Sequence, residues 1–219
     1  MKVALFGATG AVGGYFLAKA LAADHQVTAL VRSPEKLTEH PNLSPVKGNV
    51  ADPSDVRKTV DGSDVVVSCL GNVKGVLIME KAAEAILEAA AAQPTPPKSL
   101  FVSSIGCGGT SWVVLQLLRL INGRAAFEDY ERADARVVRE MQVPYVLIRP
   151  AALKEKPGNG KYRVFQGDGT FARPMAKEDV AAFLFDALES GEWDGKGGFQ
   201  LAGVKSVSAL GVRFTVLMG

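Results

Sequence analysis

The sequence predicts an α/β protein of the Rossmann type: a doubly wound, mostly parallel sheet with a small C-terminal substrate-facing lobe. The first observation behind this prediction is that short β-branched runs alternate with longer Ala/Leu-rich stretches, whose apolar residues recur three and four apart. The second is that the short runs are almost wholly apolar, which is typical of parallel strands covered by helices on both faces. The third is a glycine-rich turn that directly follows the first run.

Six strands are predicted from the short apolar runs. They cover residues 2–6, 26–31, 43–47, 64–69, 99–103 and 145–148. Because strands and helical stretches alternate along most of the chain, we expect a mostly parallel sheet in the order 3-2-1-4-5-6.

Six helices are predicted from the stretches with helical periodicity. They cover residues 11–23, 53–60, 75–92, 112–121, 127–141 and 177–189. Asp52 followed by Pro53 is typical of a helix start, with a capping carboxylate before a proline at the first helical position. The prolines at 94, 96 and 97 cannot continue the alanine-rich helix before them.

A chain of 219 residues is predicted to form a single nucleotide-binding domain. Residues 1–150 form its nucleotide-binding core, and residues 151–219 the substrate-facing lobe and C-terminal segment. Residues 154–170 are glycine-rich and basic, which favours a surface loop and short hairpin beside a cleft. The apolar stretch 206–219 is interpreted either as a packed helix or as a frayed end.

Charge and cysteine content exclude several classes of protein. Lys and Arg number 25 against 23 Asp and Glu, a net charge of +2, which is too small for a sequence-independent binder of nucleic acid. The two cysteines and two histidines fit neither a disulfide framework nor a metal motif. No apolar stretch reaches the ~20 residues of a membrane-spanning helix. We therefore expect a cytoplasmic protein without a metal, acting as a monomer or homodimer on a small molecule.

The glycine turn predicts a dinucleotide site. Gly7, Gly10 and Gly13 follow the first strand and precede an amphipathic helix. Such glycines permit the tight reversal, the approach of backbone N–H groups to a pyrophosphate and close packing of the helix on the sheet. A lone glycine triad is weak evidence, but a βαβ context is what this motif requires.

The end of the second strand favours NADP over NAD. A site for NAD usually carries Asp or Glu here to bind the ribose 2′-hydroxyl. This chain has Arg32 at that point, followed by Ser33, with Lys36 nearby. A guanidinium can pair with a 2′-phosphate and stack on adenine, although an ordinary solvated charge is the alternative.

Six motifs together resemble a known family. They are GATGAVG after the first strand, VRSPEKL after the second, GNV after the third, SCLG after the fourth, VSSIG after the fifth and VLIRP in the sixth. Through these motifs, residues 1–203 resemble the atypical short-chain dehydrogenase/reductases, in particular the NmrA-like and biliverdin-IXβ/flavin reductase-like NAD(P)-binding proteins.

The resemblance implies a role for each motif. Taken in chain order, the motifs would contact the pyrophosphate, the 2′-phosphate, the adenine, the ribose and the nicotinamide. The residues are Gly7, Thr9, Gly10, Val12 and Gly13 for pyrophosphate; Arg32 and Ser33 for the 2′-phosphate; Asn49 and Val50 for adenine; Leu70 and Gly71 for ribose; Ser103 and Ser104 around the nicotinamide or the substrate; and Pro150 and Ala151 over the nicotinamide carboxamide. Relatives usually have Asp where Asn49 stands. For the serines, plain strand-end hydrogen bonding is an equal alternative.

The catalytic pair typical of the superfamily is missing from the sequence. That pair is a Tyr with a Lys four residues later on one helix. Tyr130 is the only tyrosine on the matching helix, and Asp134 follows it by four; alignment from the IRP motif gives Phe127 and Glu131 instead. Tyr130 is thus a weak catalytic candidate and a packing or surface role is favoured, which leaves Ser104 or water as proton donor.

Two further features have open interpretations. The stretch 112–121 is apolar almost all round, so it is either a buried helix, the default, or a helix whose outer face is covered by substrate or another subunit near the mouth of the site. Cys107 lies in a glycine-rich loop beside the serines, but without a nearby histidine it is a poor nucleophile.

Three functions are compatible with these observations. The leading hypothesis is an NADPH-dependent reductase that transfers hydride to a small, flat or hydrophobic organic molecule. The second is an NADP(H)-binding redox sensor without catalysis. The third is a pocket that catalyses an isomerisation beside a bound nucleotide.

Overall fold

The computed structural model describes residues 1–71, 76–110, 112–140, 142–167, 172–194 and 197–204. Its strands are β1 (Lys2–Phe6), β2 (Gln26–Val31), β3 (Leu43–Lys47), β4 (Val65–Ser68), β5 (Lys98–Val102), β6 (Tyr145–Pro150), β7 (Leu153–Lys154), β8 (Tyr162–Phe165), β9 (Met175–Ala176) and β10 (Gly197–Gly203). Its helices are α1 (Ala11–Ala22), α2 (Pro53–Val60), α3 (Met79–Ala91), α4 (Trp112–Asn122), α5 (Arg124–Val138) and α6 (Lys177–Glu189).

Eight strands form one sheet in the order β3-β2-β1-β4-β5-β6-β10-β8. The predicted order of the first six strands and the Rossmann-like α/β class are confirmed. All pairs are parallel except β10 with β8. The hairpin predicted within residues 154–170 is wrong for the described part of that stretch, residues 154–167, because β8 pairs with the distant β10 and β7 pairs with β9. β10 takes the open edge of β6, where Phe199 and Leu201 add apolar side chains to the core.

Helices cover both faces of the sheet, as the apolar strands require. Successive residues of β1 alternate between two cores: Leu5 faces α1 and α6, and Phe6 faces α2, α3 and α5. Each core contains fully buried large side chains, such as Phe16 and Phe183 on the first face and Ile86 on the second. The packing of these side chains holds the strands in place, and with them the points at which the strands end.

The carboxyl ends of the central strands lie in one row. Phe6 pairs with Ser68, Ser68 with Phe101, and Phe101 with Leu147. β1 has β2 on one side and β4 on the other, so the chain reverses its direction across the sheet between these strands. A crevice at such a switch point is where open α/β sheets bind their ligands.

The helix starts show where local sequence signals are enough to predict a helix boundary and where they are not. α2 begins as predicted, with the Asp52 carboxylate accepting a hydrogen bond from Ser54 N at 2.8 Å. α3 begins at Met79, later than predicted, where the Asp129 carboxylate of α5 accepts hydrogen bonds from Met79 N and Glu80 N. α5 begins at Arg124, three residues before its predicted start. Residues 75, 141 and 206–219 of the predicted elements lie outside the described residues.

The interpretation of α4 as a buried helix is wrong. No residue of α4 is buried, and Trp112 and Leu120 keep 72% and 81% of their surface exposed. Leu118 points inward, close to Gly106, so only one half of this apolar helix packs on the protein. Within the described parts of the chain, no helix combines the length and apolarity needed to cross a bilayer.

Candidate cofactor and active site

Two of the three turn glycines are required by the fold itself. Gly7 has a φ of +86°, and a Cβ there would lie 2.7 Å from the carbonyl oxygen of Cys69 on the neighbouring strand end. A Cβ on Gly13 would lie 2.1 Å from the Gly7 carbonyl oxygen, so α1 can approach the turn this closely only with glycine at that position. Any larger residue at either position would push strand and helix apart.

Gly10 has no comparable requirement in the protein. Its φ of −81° and ψ of 164° are accessible to any residue, and a Cβ there would meet only the Gly7 carbonyl oxygen, at 3.3 Å. The residue is exposed, and so is Thr9 before it. The absence of a side chain at Gly10 therefore leaves an open cradle that a Cβ would partly fill, which fits the close approach of a pyrophosphate.

The start of α1 has the electrostatics of an anion site. Gly10 caps the helix without any side-chain hydrogen bond, and the first turn contains no acidic residue. The first N–H groups of the helix therefore point outward with the positive end of the helix dipole. Val12, in this turn, is half-buried against the core and fixes the helix start.

Arg32 lies at the carboxyl end of β2, next to the glycine turn across the sheet. It is exposed and, among the residues described, forms no ion pair. Ser33 precedes a 3-10 turn (Pro34–Lys36), but its side chain does not cap that turn. Both side chains are thus available to a ligand at this edge.

Asn49 and Val50 follow β3 at the same edge. Asn49 is held by its own loop, since its backbone N–H donates to Asp55 at 3.0 Å and its Oδ1 accepts from Ala51 N at 3.0 Å. One lone pair of the Oδ1 is therefore used, and the Nδ2 amide hydrogens remain to address a base. Val50 packs half-buried against the core below.

The end of β4 brings Tyr130 to the edge. Leu70 packs half-buried on the core, and Gly71 is exposed. The Tyr130 hydroxyl of α5 lies 3.4 Å from where a Cβ of Gly71 would be. Tyr130 is thus partly buried beside the predicted ribose position, not on the outer surface of α5.

A buried charged network lies behind the predicted nicotinamide position. Asp134 of α5 accepts two hydrogen bonds from the Arg149 guanidinium, from Nε and Nη2, each at 2.8 Å. The Ser103 hydroxyl donates to the same carboxylate at 2.6 Å. Both charged residues are buried, with 8% of Arg149 and 3% of Asp134 exposed. Because Ser103 donates its proton inward, its oxygen can only accept a hydrogen bond from a ligand.

Two glycines make room for Arg149. A Cβ on Gly108 would lie 2.2 Å from Arg149 Cζ, and one on Gly198 would lie 2.5 Å from Nη1. The guanidinium is therefore enclosed between the loop after β5 and strand β10. This enclosure fixes the fork on Asp134 and, through it, the Ser103 hydroxyl.

The polar groups available to a ligand differ between Ser104 on the one hand and Pro150 and Ala151 on the other. The Ser104 hydroxyl makes only a long 3.3 Å bond to the carbonyl of Ile105, so it can reorient. Pro150 O accepts from Ile105 N, and Ala151 N donates to Leu201 O. Because these backbone groups are paired and both residues are buried, only their surfaces could contact a cofactor.

The position of Asp134 clarifies the missing Tyr-Lys pair. Four residues after Tyr130, where a lysine ammonium would reach the cofactor, stands a carboxylate that turns inward to Arg149. Phe127 is buried and Glu131 pairs with Arg119, so the alternative alignment supplies no acid-base pair either.

Neither the two cysteine thiols nor, within the described residues, any cluster of metal-ligating side chains adds a reactive group to the site. Burial raises the pKa of Cys107 to about 12, with a further contribution from the Asp134 charge, and burial alone raises that of Cys69 to about 12. Both thiols are therefore protonated at neutral pH and are poor nucleophiles. The described ranges contain no group of three or more side chains suited to holding a metal ion.

Sequence reasoning missed Asp134 and Arg149 as a pair. The available signal was Arg149 itself, a charged residue inside an otherwise apolar strand, which must have a buried partner. Its partner could not be chosen from the several acids of α5 without the structure.

Comparison with known families agrees with this geometry. A family model described as NAD(P)H-binding matches residues 7–191. The match begins at the first glycine of the turn and extends just past the end of α6.

Solved structures share the fold. ChuY, an anaerobillin reductase from Escherichia coli O157:H7, has a TM-score of 0.79 at 22% identity, over 94% of this chain and 100% of that one. A short-chain dehydrogenase/reductase from Veillonella parvula in complex with NADP has 0.78 at 18% identity, over 92% and 94%. The oxidoreductase YlbE from Lactococcus lactis has 0.74 at 23% identity, over 94% and 92%. The resemblance to short-chain dehydrogenase/reductases is confirmed for the fold.

Proposed function

Because the chain belongs to the NAD(P)H-binding family, we propose that it is an NADPH-dependent reductase of a small, flat, hydrophobic organic molecule. The observation that carries the proposal is the row of features along one edge of the sheet. This row runs from the unpaired Arg32, through the open cradle at Gly10, to the hydroxyls of Ser103 and Ser104. These features lie at the carboxyl ends of β2, β1 and β5, along the edge where open α/β sheets bind dinucleotides.

The residues divide the work as follows. NADPH, when bound, supplies the hydride. The start of α1 and Arg32 hold the phosphates, and Ser103 accepts a hydrogen bond at a fixed position because Asp134 and Arg149 orient it. Reduction of a conjugated substrate also needs one proton, and we assign it to Ser104 or to water, since the Ser103 proton is engaged with Asp134. A reductase activity is supported by the shared fold of ChuY, which is an anaerobillin reductase.

The direct test measures consumption of NADPH and of NADH by the purified protein. Flavins, linear tetrapyrroles, quinones and aldehydes are offered separately, and loss of nicotinamide absorbance is followed. Turnover with NADPH and one of the flat substrates supports the proposal. Tight NADPH binding without turnover of any of them would instead support the sensor.

Arg32→Ala tests the choice of cofactor. We expect NADPH affinity to fall about 10–100-fold, because a charge-assisted hydrogen bond to the 2′-phosphate contributes about 1.5–3 kcal/mol. Affinity for NADH, which lacks this phosphate, should change little. Titration calorimetry of both nucleotides with both proteins measures the effect, and Lys58→Ala on α2 is a matched loss of charge. Equal affinity of the wild-type protein for NADPH and NADH would contradict the assignment.

Ser104→Ala and Tyr130→Phe compare the two candidate proton donors. We expect Ser104→Ala to lower kcat more than Tyr130→Phe, because the Ser104 hydroxyl makes only a long hydrogen bond and Asp134 replaces the usual lysine four residues after Tyr130. The effect of Tyr130→Phe should remain below the roughly 10²–10⁴-fold typical of a positioned general acid. Both rates are measured on one substrate at saturating NADPH. A thousand-fold loss in Tyr130→Phe alone, within that general-acid range, would restore the tyrosine as catalyst.

A second candidate, an NADP(H)-binding redox sensor, is favoured by one observation. Asp134 occupies the position of the usual lysine and is held in a buried ion pair with Arg149, so this helix lacks the usual Tyr-Lys pair. A sensor would bind NADPH and NADP with different affinities or change its partners between them, and would not consume NADPH.

A further inference from the structure

The outward-facing side of α4 is as apolar as a helix face that packs in a protein core. Projected at 100° per residue, positions 112, 113, 116, 117, 120 and 121 fall on one side of the helix. All are large apolar residues except Gln116, and their exposed fractions range from 52% at Leu117 to 81% at Leu120. A helix face in contact with water normally carries charged residues, and this one carries none.

The area of this face is at the upper end of what soluble monomers expose, where apolar patches are often interaction sites. With fully accessible side chains of ~150–250 Å², the five exposed fractions amount to roughly 600 Å² of apolar surface. The largest apolar patch on a soluble monomer is ~300–600 Å². A standard protein interface buries ~800 Å² per partner, so α4 alone supplies most of one side of such an interface.

The charges around this face argue against a membrane as the occupant. Helices that lie on membranes flank the apolar face with unpaired Lys and Arg. Here Arg119 is paired with Glu131 and Arg124 with Glu128. The exposed face itself is neutral, so an equally neutral, apolar protein surface is its best complement.

We propose that this α4 face is a homodimer interface, in which α4 packs antiparallel against α4 of a second copy. A two-fold axis between Gln116 and Leu117 places Trp112 opposite Ile121 and Val113 opposite Leu120. The same axis brings the two Gln116 amides close together, where each can donate to and accept from the other. The pattern is thus complementary to itself, as a two-fold interface requires, with one polar residue to fix the register.

Sedimentation and light scattering test the interface. The wild-type chain should be a dimer at micromolar concentration, and Leu120→Glu should weaken dimerisation by at least about 100-fold, because it buries an unpaired carboxylate at the centre of the face. Since Leu120 is 81% exposed in the protomer, the variant should keep its fold and its thermal midpoint. Tyr15→Glu inserts the same charge at a 44% exposed residue of α1, which covers the opposite face of the sheet from α5, and should leave the dimer intact.

The register has its own test. Under mild oxidation, a mixture of Val113→Cys and Leu120→Cys chains should form a disulfide-linked heterodimer, whereas Val113→Cys alone should not. The wild-type chain, which contains only the protonated thiols of Cys69 and Cys107, is oxidised in parallel and gives the background of disulfide formation. A wild-type chain that is monomeric at submillimolar concentration, or a dimer that Leu120→Glu leaves unchanged, would overturn the proposal. Binding of the monomer to lipid vesicles would overturn it in favour of a membrane surface.

Discussion

Replacing Asp134 by alanine is expected to lower the free energy of unfolding by about 3–5 kcal/mol, the cost of leaving a buried charge without its partner. The Arg149 guanidinium would lose both of its 2.8 Å hydrogen bonds while remaining enclosed by Gly108 and Gly198. Ser103 would lose its acceptor at the same time. Chemical denaturation followed by circular dichroism measures the change, provided that the unfolding is two-state.

Two controls separate the buried pair from charge in general. Glu128→Ala removes a carboxylate from the solvent-exposed pair with Arg124 on the same helix, and should have little effect. The double variant Asp134→Leu with Arg149→Met replaces the pair by apolar side chains of similar size, and should recover most of the lost stability. If Asp134→Ala were as stable as Glu128→Ala, the network would not be the structural element that we infer.

The double variant also separates stability from function. It restores packing without restoring an acceptor for the Ser103 hydroxyl, which would then be free to rotate. If the orientation of Ser103 matters for hydride transfer, this variant will fold and bind NADPH but show a reduced kcat. If kcat is unchanged, the network serves the fold alone.

The sheet order could be predicted from the sequence because its signals are local. Each buried parallel strand is a short apolar run, and Asp52 with Pro53 marks a helix start within three residues. The start of α3 could not be predicted in this way, because its cap comes from Asp129, fifty residues away. The same reason explains the wrong hairpin prediction: β8 pairs with β10, and no local pattern shows which distant strand takes an open edge.

In the candidate site, too, local motifs could be predicted from the sequence, whereas contacts between distant residues could not. The glycine turn and Arg32 are contiguous motifs at strand ends, so sequence reasoning placed them at one edge, where the structure also has them. The partners of Ser103 and Arg149 come from α5 and were not predicted. For α4, the sequence left burial and coverage by a partner open, because periodicity cannot tell a buried helix from an exposed apolar one.

Gly10→Val is expected to lower NADPH affinity by more than about 100-fold while the protein stays folded. Gly10 has backbone dihedral angles that suit valine, since its φ is −81° and its ψ is 164°. The new side chain would meet the Gly7 carbonyl oxygen at 3.3 Å, which a small shift can relieve. It would, however, occupy the space that a pyrophosphate needs beside the first N–H groups of α1.

Binding and stability must be measured together to interpret this variant. NADPH affinity is measured by calorimetry, and folding by circular dichroism and the thermal midpoint. Gly14→Ala is the matched control, because its Cβ would make only an ordinary 3.6 Å contact with the Ala8 carbonyl oxygen, and it should bind NADPH as the wild type does. Gly13→Ala is the opposite case: its Cβ would lie 2.1 Å from the Gly7 carbonyl oxygen, so it should lose stability and binding together. A folded Gly10→Val protein that binds NADPH with wild-type affinity would show that the pyrophosphate does not lie in this cradle.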